Sequence, residues 1–359
     1  MVLYRQIVQK GGEMEIISGL AGIPIAESQV SNIDGARGRL DYRGISIEEL
    51  VDKSTFLEVA WLLIYGELPT KTQLETFNRD VNLRQSLKFR IVDIMKNLPE
   101  SAHPMTVMQS MTSILGAFHD GQEDPEYDTI TRLIAKTAAI TSHWSRIRYG
   151  NLPVSAREDF SFAENLFYMM GKKQPSKEIA TVLDKCLILH AEHTMNASTF
   201  ATLVVGSTLA DPYKVMSAAM GSLSGPLHGG ANEEVIDMLK IVGRPENAKA
   251  YVEEKMATGQ RIMGFGHRVY KTYDPRAKKL EELLTQVAEM KHDKKMYETA
   301  KEIEKHALEK LAPKGLFPNV DFYSGCIYNL LGIPSDLFTP LFAIARTPGW
   351  IAHWREYKA

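Results

Sequence analysis

The chain has 359 residues, of which 44% are hydrophobic and 24% charged, and its formal net charge is −2. This composition is typical of a globular protein with a large core, and the near-neutral charge argues against a general nucleic-acid binder, although local basic clusters stay open. No apolar stretch approaches the roughly eighteen residues that a membrane-spanning helix needs, so no membrane partner is predicted. The length predicts two domains, or one large domain with a smaller lobe.

The cysteine content and the N-terminus both bear on the compartment. Cys186 and Cys326 are the two cysteines. They cannot build a disulfide framework, and they fit a reducing compartment. The N-terminus lacks the apolar core of a secretory signal, so a cytoplasmic location is predicted. The first thirteen residues are expected to be a frayed leader, with Met14 as an alternative start.

Strand signals are few and lie near the N-terminus. Residues 14–18 and 39–43 are the best candidates, with a hairpin predicted around the turn-like Asp34-Gly35. Helical periodicity dominates the remainder, and the predicted fold class is mainly α. The pattern predicts a helix over 129–149, one or two buried helices over 178–209, solvent-facing helices over 277–311, and short helices or one kinked helix over 336–358.

A change in composition indicates how the domains are organised. Residues from about 227 to 332 shift towards charged amphipathic helices. This shift is the pattern expected of a lobe inserted into a larger helical domain. We therefore predict a large helical domain formed by residues 1–226 and 333–359, with a small domain formed by residues 227–332.

The sequence lacks the common signatures of nucleotide-binding sites, catalytic nucleophiles and metal sites. The sequence has no Walker loop, and Gly264-Phe265-Gly266 lacks the third glycine of a dinucleotide fingerprint. GSLSG at 221–225 does not have the nucleophile-elbow spacing. His190 and His193 supply at most two ligands, whereas zinc needs three or four. No metal is therefore predicted.

Three glycine-rich or loop-like segments instead each present an ionisable group. The first is GPLHGGAN at 225–232, where glycines on both sides of His228 allow a ligand to approach the backbone closely. A helix N-terminus nearby would favour a neutral imidazole that donates a hydrogen bond. The alternative is a histidine that only caps a helix or sits in a loop.

The second segment is MGFGHRVYKTYDPR at 263–276, which concentrates histidine, arginine and lysine in a flexible loop. Arginine grips a carboxylate or phosphate with two hydrogen bonds, and lysine acts as a point charge, so the segment fits an anionic ligand. The alternative is a solvated basic turn before a helix that opens near Pro275.

The third segment is PNVDFYSG at 318–325, where Asp321 sits between apolar neighbours. Burial there would raise the pKa of Asp321 and make it a better base. A helix N-cap is an equally ordinary role for an aspartate in this position.

These three segments, in this order, resemble the catalytic segments of citrate synthases. Further similar stretches are YRGISIEEL (42–50), WLLIYGELP (61–69), HAEHTMNASTF (190–200) and LFAIARTPGWIAHW (341–354). The likeness runs from about residue 16 onwards and is to the short bacterial and archaeal form. It implies a two-domain, mainly α fold with a smaller inserted helical domain, and a homodimer whose chains share active sites.

The resemblance implies an acyltransferase that condenses acetyl-CoA with oxaloacetate and water to give citrate and CoA, the entry step of the tricarboxylic acid cycle. No permanently bound cofactor is implied. Asp321 is then the base that removes a methyl proton. His228 donates a hydrogen bond to the thioester carbonyl, and His267 donates one to the keto oxygen of oxaloacetate. The residues assigned to binding oxaloacetate are His193, Arg276 and Arg346.

By the same resemblance, CoA lies against the backbone of 261–265, with basic side chains near its phosphates. The residues assigned to CoA are Arg261, Ile262, Met263, Gly264, Phe265, Arg268, Lys271 and Asn319. The small domain is implied to close over oxaloacetate, which excludes water and completes the acetyl-CoA site.

Several alternatives stay open. A 2-methylcitrate synthase would use the same residues on propionyl-CoA, and one methylene of pocket space is worth only about 1–3 kcal/mol. A non-catalytic helical binding protein on the same fold and a CoA-thioester hydrolase belong to other classes. Members of the family carry a further arginine beyond the position matching Arg346, and the sequence ends at Ala359 before it. We expect weaker oxaloacetate binding in a chain without that arginine.

Overall fold

The computed structural model describes residues 5–10, 13–18, 23–119, 126–171, 173–226 and 228–358. Helices dominate this part of the chain, and five short strands lie near its N-terminus. The predicted mainly α fold class is confirmed. Among the described helices, none is both long and apolar enough to cross a membrane.

The strands form two small antiparallel sheets. One contains β1 (Arg5–Lys10) and β2 (Glu13–Ser18), and the other contains β3 (Ser31–Asp34), β4 (Arg39–Tyr42) and β5 (Ile45–Ser46), in that order. The predicted strands at 14–18 and 39–43 and the hairpin turn at Asp34-Gly35 are confirmed. The prediction of a frayed leader is wrong for residues 5–10, because their backbone pairs with β2 along its whole length.

Sixteen α-helices lie in the described residues, and polar side chains cap many of them. Thr70 and Ser161 form complete capping boxes, which fix where the third and seventh helices begin. The first ten helices are α1 (Ile47–Lys53), α2 (Phe56–Tyr65), α3 (Lys71–Arg84), α4 (Phe89–Lys96), α5 (Pro104–Ala117), α6 (Glu126–Ile147), α7 (Phe162–Met169), α8 (Lys177–His190), α9 (Ala197–Gly206) and α10 (Pro212–Leu223).

The remaining helices belong to the C-terminal part. They are α11 (Ala231–Val242), α12 (Ala248–Ala257), α13 (Pro275–Lys291), α14 (Lys295–Leu311), α15 (Val320–Leu330) and α16 (Phe338–Lys358). Short 3₁₀ turns occur at Pro245–Asn247, Ala312–Lys314 and Ser335–Leu337.

The helices around the site follow the predicted pattern. Helix α6 covers most of 129–149, as predicted. The stretch 178–209 forms two helices, α8 and α9, because Asn196 caps α9 by accepting hydrogen bonds from the backbone N–H groups of its first turn. The connection between α8 and α9 carries His193.

Helix α16 lies at the centre of the larger of the two groups formed by the described helices, which consists of α1 to α10 and α16 itself. Every residue from Phe338 to Trp354 is buried, and the helix packs on α2, α6, α8 and α9. Of the two predicted forms, the structure has one continuous helix that runs through Pro348. Gly349 permits its close approach to the α8–α9 connection, since a Cβ there would lie 2.5 Å from the carbonyl oxygen of Ala191. Arg346 is thereby brought against the same connection.

Helices α11 to α15 pack mainly with one another. Helix α15 packs on α11 and α13, and α12 packs on α14. This group meets the larger one where α13 contacts α1 and α8, and where α11 contacts α16. The group falls within the predicted small domain, but the domain boundaries at 227 and 332 stay a prediction. Leu227 itself lies outside the described residues.

The charged helices of this group depart from expectation at one position. Helices α13 and α14 match the helices predicted over 277–311, and α13 begins at Pro275 with Asp274 as its cap. Most of their lysine and glutamate side chains are exposed, as predicted. Glu304 is only 3% exposed, because it accepts hydrogen bonds from two tyrosine hydroxyls inside the group.

Candidate active site

Two histidines from separate segments meet at the centre of the site. His193 lies in the α8–α9 connection, and His267 lies in the loop before α13. Their ring centroids are 4.9 Å apart. The hydroxyl of Tyr270, a residue that the sequence reasoning missed, lies 3.2 Å from Nε2 of His193. The structure therefore brings together two of the predicted residues and adds a third.

The loop fixes which nitrogen of His267 carries the proton. Its Nδ1 accepts hydrogen bonds from the backbone N–H groups of Val269 and Tyr270, at 3.0 and 3.3 Å. A neutral imidazole has one N–H, so that proton lies on Nε2, which is left to donate. Burial, reinforced by the charge of Arg276, lowers the pKa of His267 to about 4. Burial also holds the pKa of His193 well below its ordinary value.

Arg276 is almost completely buried beside these rings. Its Nε and Nη2 donate to the two carboxylate oxygens of Asp274, at 3.0 and 2.7 Å. Burial opposes the charge on Arg276, but the carboxylate outweighs burial and raises its pKa. The guanidinium therefore stays charged. Among the described residues its Nη1 has no hydrogen-bond partner, so a donor remains for a ligand.

A second buried arginine comes from α16. Nε of Arg346 donates to the carbonyl oxygen of His190 at 2.7 Å, and the guanidinium lies 4.8 Å from the centroid of the Phe342 ring. In the part of the chain that the structure describes, no carboxylate forms an ion pair with Arg346. Burial lowers its pKa to about 10, so it remains protonated at neutral pH. The surplus positive charge favours an anionic ligand.

His228 lies in the same region. Its ring centroid is 6.4 Å from that of Phe342, which also contacts Arg346. Nε2 of His228 is 2.9 Å from the hydroxyl oxygen of Ser198, which also accepts a hydrogen bond from Trp350 at 3.1 Å. Burial, followed by the charge of Arg346, lowers the pKa of His228 to about 4. The imidazole is neutral as expected, but burial rather than a helix dipole is the main cause.

Asp321 lies in the first turn of α15. Asn319 caps this helix by accepting a hydrogen bond from the Asp321 N–H at 3.0 Å, so the alternative that Asp321 is itself the cap is wrong. Asp321 is 8% exposed, and among the described residues its Oδ1 has no hydrogen-bond partner. Burial raises the pKa of Asp321 to about 7, although the charge of Arg276 opposes this. A carboxyl group in this environment is a stronger base than an ordinary one.

The segment assigned to CoA runs beside the start of α15. The backbones of 264–266 and 317–319 are joined by N–H to carbonyl hydrogen bonds of 2.8 and 2.9 Å. Gly264 has a φ of +78°, and a Cβ there would lie 2.9 Å from the Cα of Phe322. Both the backbone conformation and the close approach require glycine at this position.

Of the remaining residues assigned to CoA, one lies beside the 264–266 backbone and three lie on the surface. Nδ2 of Asn319 donates to the carbonyl oxygen of Gly266 at 3.1 Å, so Asn319 adjoins the 264–266 backbone. Arg261, Arg268 and Lys271 are exposed on the surface rather than part of the buried group. These three positions suit contacts with a ligand that extends out of the interior.

Sequence reasoning also missed the pair that holds the α8–α9 connection against α16. The carboxylate of the fully buried Glu192 accepts hydrogen bonds from Nε2 of His353 and from the hydroxyl of Ser31, each at 3.0 Å. Burial opposes a charge on His353, but Glu192 outweighs it and raises the pKa of His353. An acidic residue beside His193 in an apolar stretch was the available signal.

The donor set at the centre of the site fits an anion better than a metal. Ligand atoms of His193, His267 and Asp274 lie within 4.8 Å of one another. However, both oxygens of Asp274 accept hydrogen bonds from Arg276, and Nδ1 of His267 accepts two backbone N–H groups. The lone pairs that a cation needs are therefore engaged, and the absence of a metal stays a prediction.

A buried carboxyl of raised pKa, neutral histidines and two charged arginines, held by a mainly helical fold, form the kind of site that enzymes acting on anionic ligands have. A family model described as "Citrate synthase, C-terminal domain" matches residues 19–359. A relative from Synechocystis sp. named citrate synthase is 51% identical over 343 residues, which covers 94% of this chain and 86% of the relative.

Solved structures agree. The citrate synthase of Pyrobaculum aerophilum has a TM-score of 0.89 and 37% identity, covering 99% of this chain and 92% of that one. The citrate synthase of Thermoplasma acidophilum, solved as a ternary complex with carboxymethyl coenzyme A and oxaloacetate, has a TM-score of 0.87 and 32% identity, covering 95% of this chain and 91% of that one. The chain belongs to the citrate synthase family, and it is an enzyme of the acyltransferase class.

Asp274→Asn tests the importance of compensating the buried arginine. The substitution removes the charge opposite Arg276 and leaves a buried guanidinium without its ion-pair partner. We expect the free energy of unfolding to fall by about 3 kcal/mol, measured by urea denaturation. Asp159→Asn, which removes the partner of the exposed Arg157, is the control and should cause no measurable change. Equal stability of the two variants would contradict the expectation.

Proposed function

We propose that the chain catalyses the citrate synthase reaction, in which acetyl-CoA, oxaloacetate and water give citrate and free CoA. The observation that carries the proposal is the buried Oδ1 of Asp321, which has no hydrogen-bond partner in the described part of the chain and lies in a site with two charged arginines. A thioester methyl is a very weak carbon acid, so its deprotonation needs a strong base and stabilisation of the developing oxyanion. In metabolism this reaction is the entry step of the tricarboxylic acid cycle.

Oxaloacetate has two carboxylates and one keto oxygen to be held. We assign one carboxylate to Arg276, through the donor left by Asp274, and the other to Arg346. The Nε2–H of His267 donates to the keto oxygen, which makes the adjacent carbon more electrophilic and stabilises the alkoxide that forms there. His193, whose ring centroid lies 4.9 Å from that of His267, is assigned to the same substrate.

The acetyl group lies between Asp321 and His228 in this proposal. Asp321 removes a methyl proton, and the carbon so formed attacks the keto carbon of oxaloacetate, which makes the new carbon–carbon bond. His228 donates to the thioester oxygen as negative charge develops. The hydroxyl of Ser198 donates to Oδ1 of Asn196 at 2.7 Å, so its oxygen accepts a hydrogen bond from Nε2–H of the neutral His228. In the proposed reaction this N–H must turn from Ser198 to the thioester oxygen. Water then breaks the carbon–sulfur bond of the citryl thioester and releases CoA.

CoA is assigned to the 261–265 backbone, with Asn319 supporting it and the exposed Arg261, Arg268 and Lys271 beside its phosphates. No permanently bound cofactor takes part. The proposal includes closure of the small domain over oxaloacetate, which excludes water until the carbon–carbon bond is made. A homodimer with shared active sites and a cytoplasmic location complete the proposal.

The alternatives differ in substrate or in class. A 2-methylcitrate synthase would use the same residues on propionyl-CoA. A CoA-thioester hydrolase would need no oxaloacetate, and a non-catalytic binding protein would release no thiol. The presence of two buried arginines favours an enzyme that binds a dicarboxylate, because a buried charge that binds no ligand lowers the stability of the fold.

Thiol release separates these alternatives. It is measured with acetyl-CoA and with propionyl-CoA, each with and without oxaloacetate. We expect release that requires oxaloacetate and is faster with acetyl-CoA. Faster release with propionyl-CoA would move the assignment to 2-methylcitrate synthase, and release without oxaloacetate would indicate a hydrolase. Absence of release in all four mixtures would support the non-catalytic alternative.

The pH dependence of kcat/KM for acetyl-CoA should report the base. Asp321 acts only when ionised, and burial raises its pKa to about 7. The rate should therefore rise with pH up to about 7 and level off above it. His228 and His267, whose pKa values are lowered to about 4, should add no further transition in this range. A transition near the ordinary carboxyl pKa of about 4 would contradict the assignment.

Asp321→Asn and Arg276→Ala should affect different kinetic constants. Loss of the base should lower kcat at least about a hundredfold and leave the KM for oxaloacetate nearly unchanged. Loss of the arginine should mainly raise that KM, since it removes a charge-assisted contact with a carboxylate. Steady-state kinetics with varied oxaloacetate measure both constants. Near-normal kcat in Asp321→Asn would show that another group is the base.

A further inference from the structure

Two tyrosines from different segments share one buried carboxylate. The hydroxyl of Tyr273, in the loop before α13, donates to Oε1 of Glu304 at 3.1 Å. The hydroxyl of Tyr323, on α15, donates to Oε2 of the same side chain at 2.7 Å. Glu304 is 3% exposed and belongs to α14, a helix that carries none of the residues assigned to the reaction. Each oxygen of this carboxylate therefore holds a different segment.

The surrounding charges keep this arrangement intact. Nζ of Lys301 pairs with Glu304 and, at 2.7 Å, with Glu281 of α13. Burial opposes the charge on Lys301, but its two carboxylate partners outweigh burial and raise its pKa. Burial, followed by the charge of Glu304, raises the pKa of both Tyr273 and Tyr323. Both hydroxyls therefore keep their protons and remain donors at neutral pH.

Each tyrosine is close in sequence to a residue that has a part in the proposed reaction. Tyr273 directly precedes Asp274, which holds Arg276 in place. Tyr323 lies two residues after Asp321, in the same short stretch of α15. One carboxylate thus joins the arginine assigned to oxaloacetate to the helix that carries the base.

We propose that Glu304 is a positioning residue, which sets the distance between the Arg276 segment and Asp321 by holding Tyr273 and Tyr323 together. The inference rests on the proposed function, because it concerns the geometry of the carbon–carbon bond-forming step. Binding of oxaloacetate depends mainly on the arginines. The rate of the chemical step depends on how closely the base helix is held to the bound substrate, and a displacement of about 1 Å costs up to about a hundredfold.

Glu304→Gln tests the inference against a matched control on the same helix. We expect kcat to fall about tenfold or more, with the KM for oxaloacetate changed less than about threefold. Glu302→Gln removes the same charge from α14, where the side chain is half-exposed and pairs with Lys305. This control should change neither constant more than about twofold.

A cycle of tyrosine variants separates positioning from a general loss of stability. Tyr273→Phe and Tyr323→Phe each remove one hydroxyl and keep the ring. If the two tyrosine–Glu304 hydrogen bonds act together, loss of either one should lower kcat by a similar factor, about tenfold. Loss of both should then lower kcat little further. Independent structural effects would instead multiply to about a hundredfold in the double variant. The phenylalanine variants carry the test if Glu304→Gln does not fold.

Two results would overturn the inference while leaving the proposed function standing. One is an unchanged kcat in a folded Glu304→Gln, and the other is multiplicative losses in the tyrosine cycle, in either case with normal wild-type activity. Failure of the proposed function is distinguishable, because it shows in the wild-type chain as no thiol release dependent on oxaloacetate. That result would also remove the basis for this inference.

Discussion

The site depends on keeping two guanidinium groups charged in an interior that water hardly reaches. Arg276 and Arg346 are each 2% exposed. A buried charge is costly unless it is paired, and within the described ranges a carboxylate, that of Asp274, pairs with Arg276 but none pairs with Arg346. The carbonyl oxygen of His190 and the ring of Phe342 lie beside Arg346. In the proposed reaction, oxaloacetate supplies the negative charge that Arg346 lacks, so the free-energy cost of burying this guanidinium is offset when the substrate binds.

The same dry environment sets the protonation of the groups around the arginines. Burial lowers the pKa of the histidines and raises that of Asp321, because it disfavours every charged form. The arginines reinforce this for the histidines and oppose it for Asp321. The result is neutral donors next to a carboxyl that titrates near neutrality, which is the combination that enolisation of a thioester requires.

Much of the site could be predicted from the sequence, because its chemistry lies in short contiguous segments with glycines around them. The helices could also be predicted, since periodicity and capping residues are local features of the sequence. The contacts that the site residues make with distant parts of the chain could not be predicted. Ser198 lies thirty positions before His228 and meets it only through the packing of α9. Glu304 follows the charge pattern of an exposed helix face, and only the positions of two distant tyrosines show why it is buried.

Gly264 has a consequence for judging other members of the family. Its left-handed backbone and its contact with Phe322 are demands of packing, and they exist whether or not a substrate is ever bound. Asp321, by contrast, destabilises the folded chain, since its buried Oδ1 has no hydrogen-bond partner among the residues that the structure describes. A descendant that abandoned catalysis would keep the glycine and be free to replace the aspartate. A relative that keeps the glycine therefore shows only that it has the same fold. A relative that also keeps the aspartate is expected to have kept the proposed reaction.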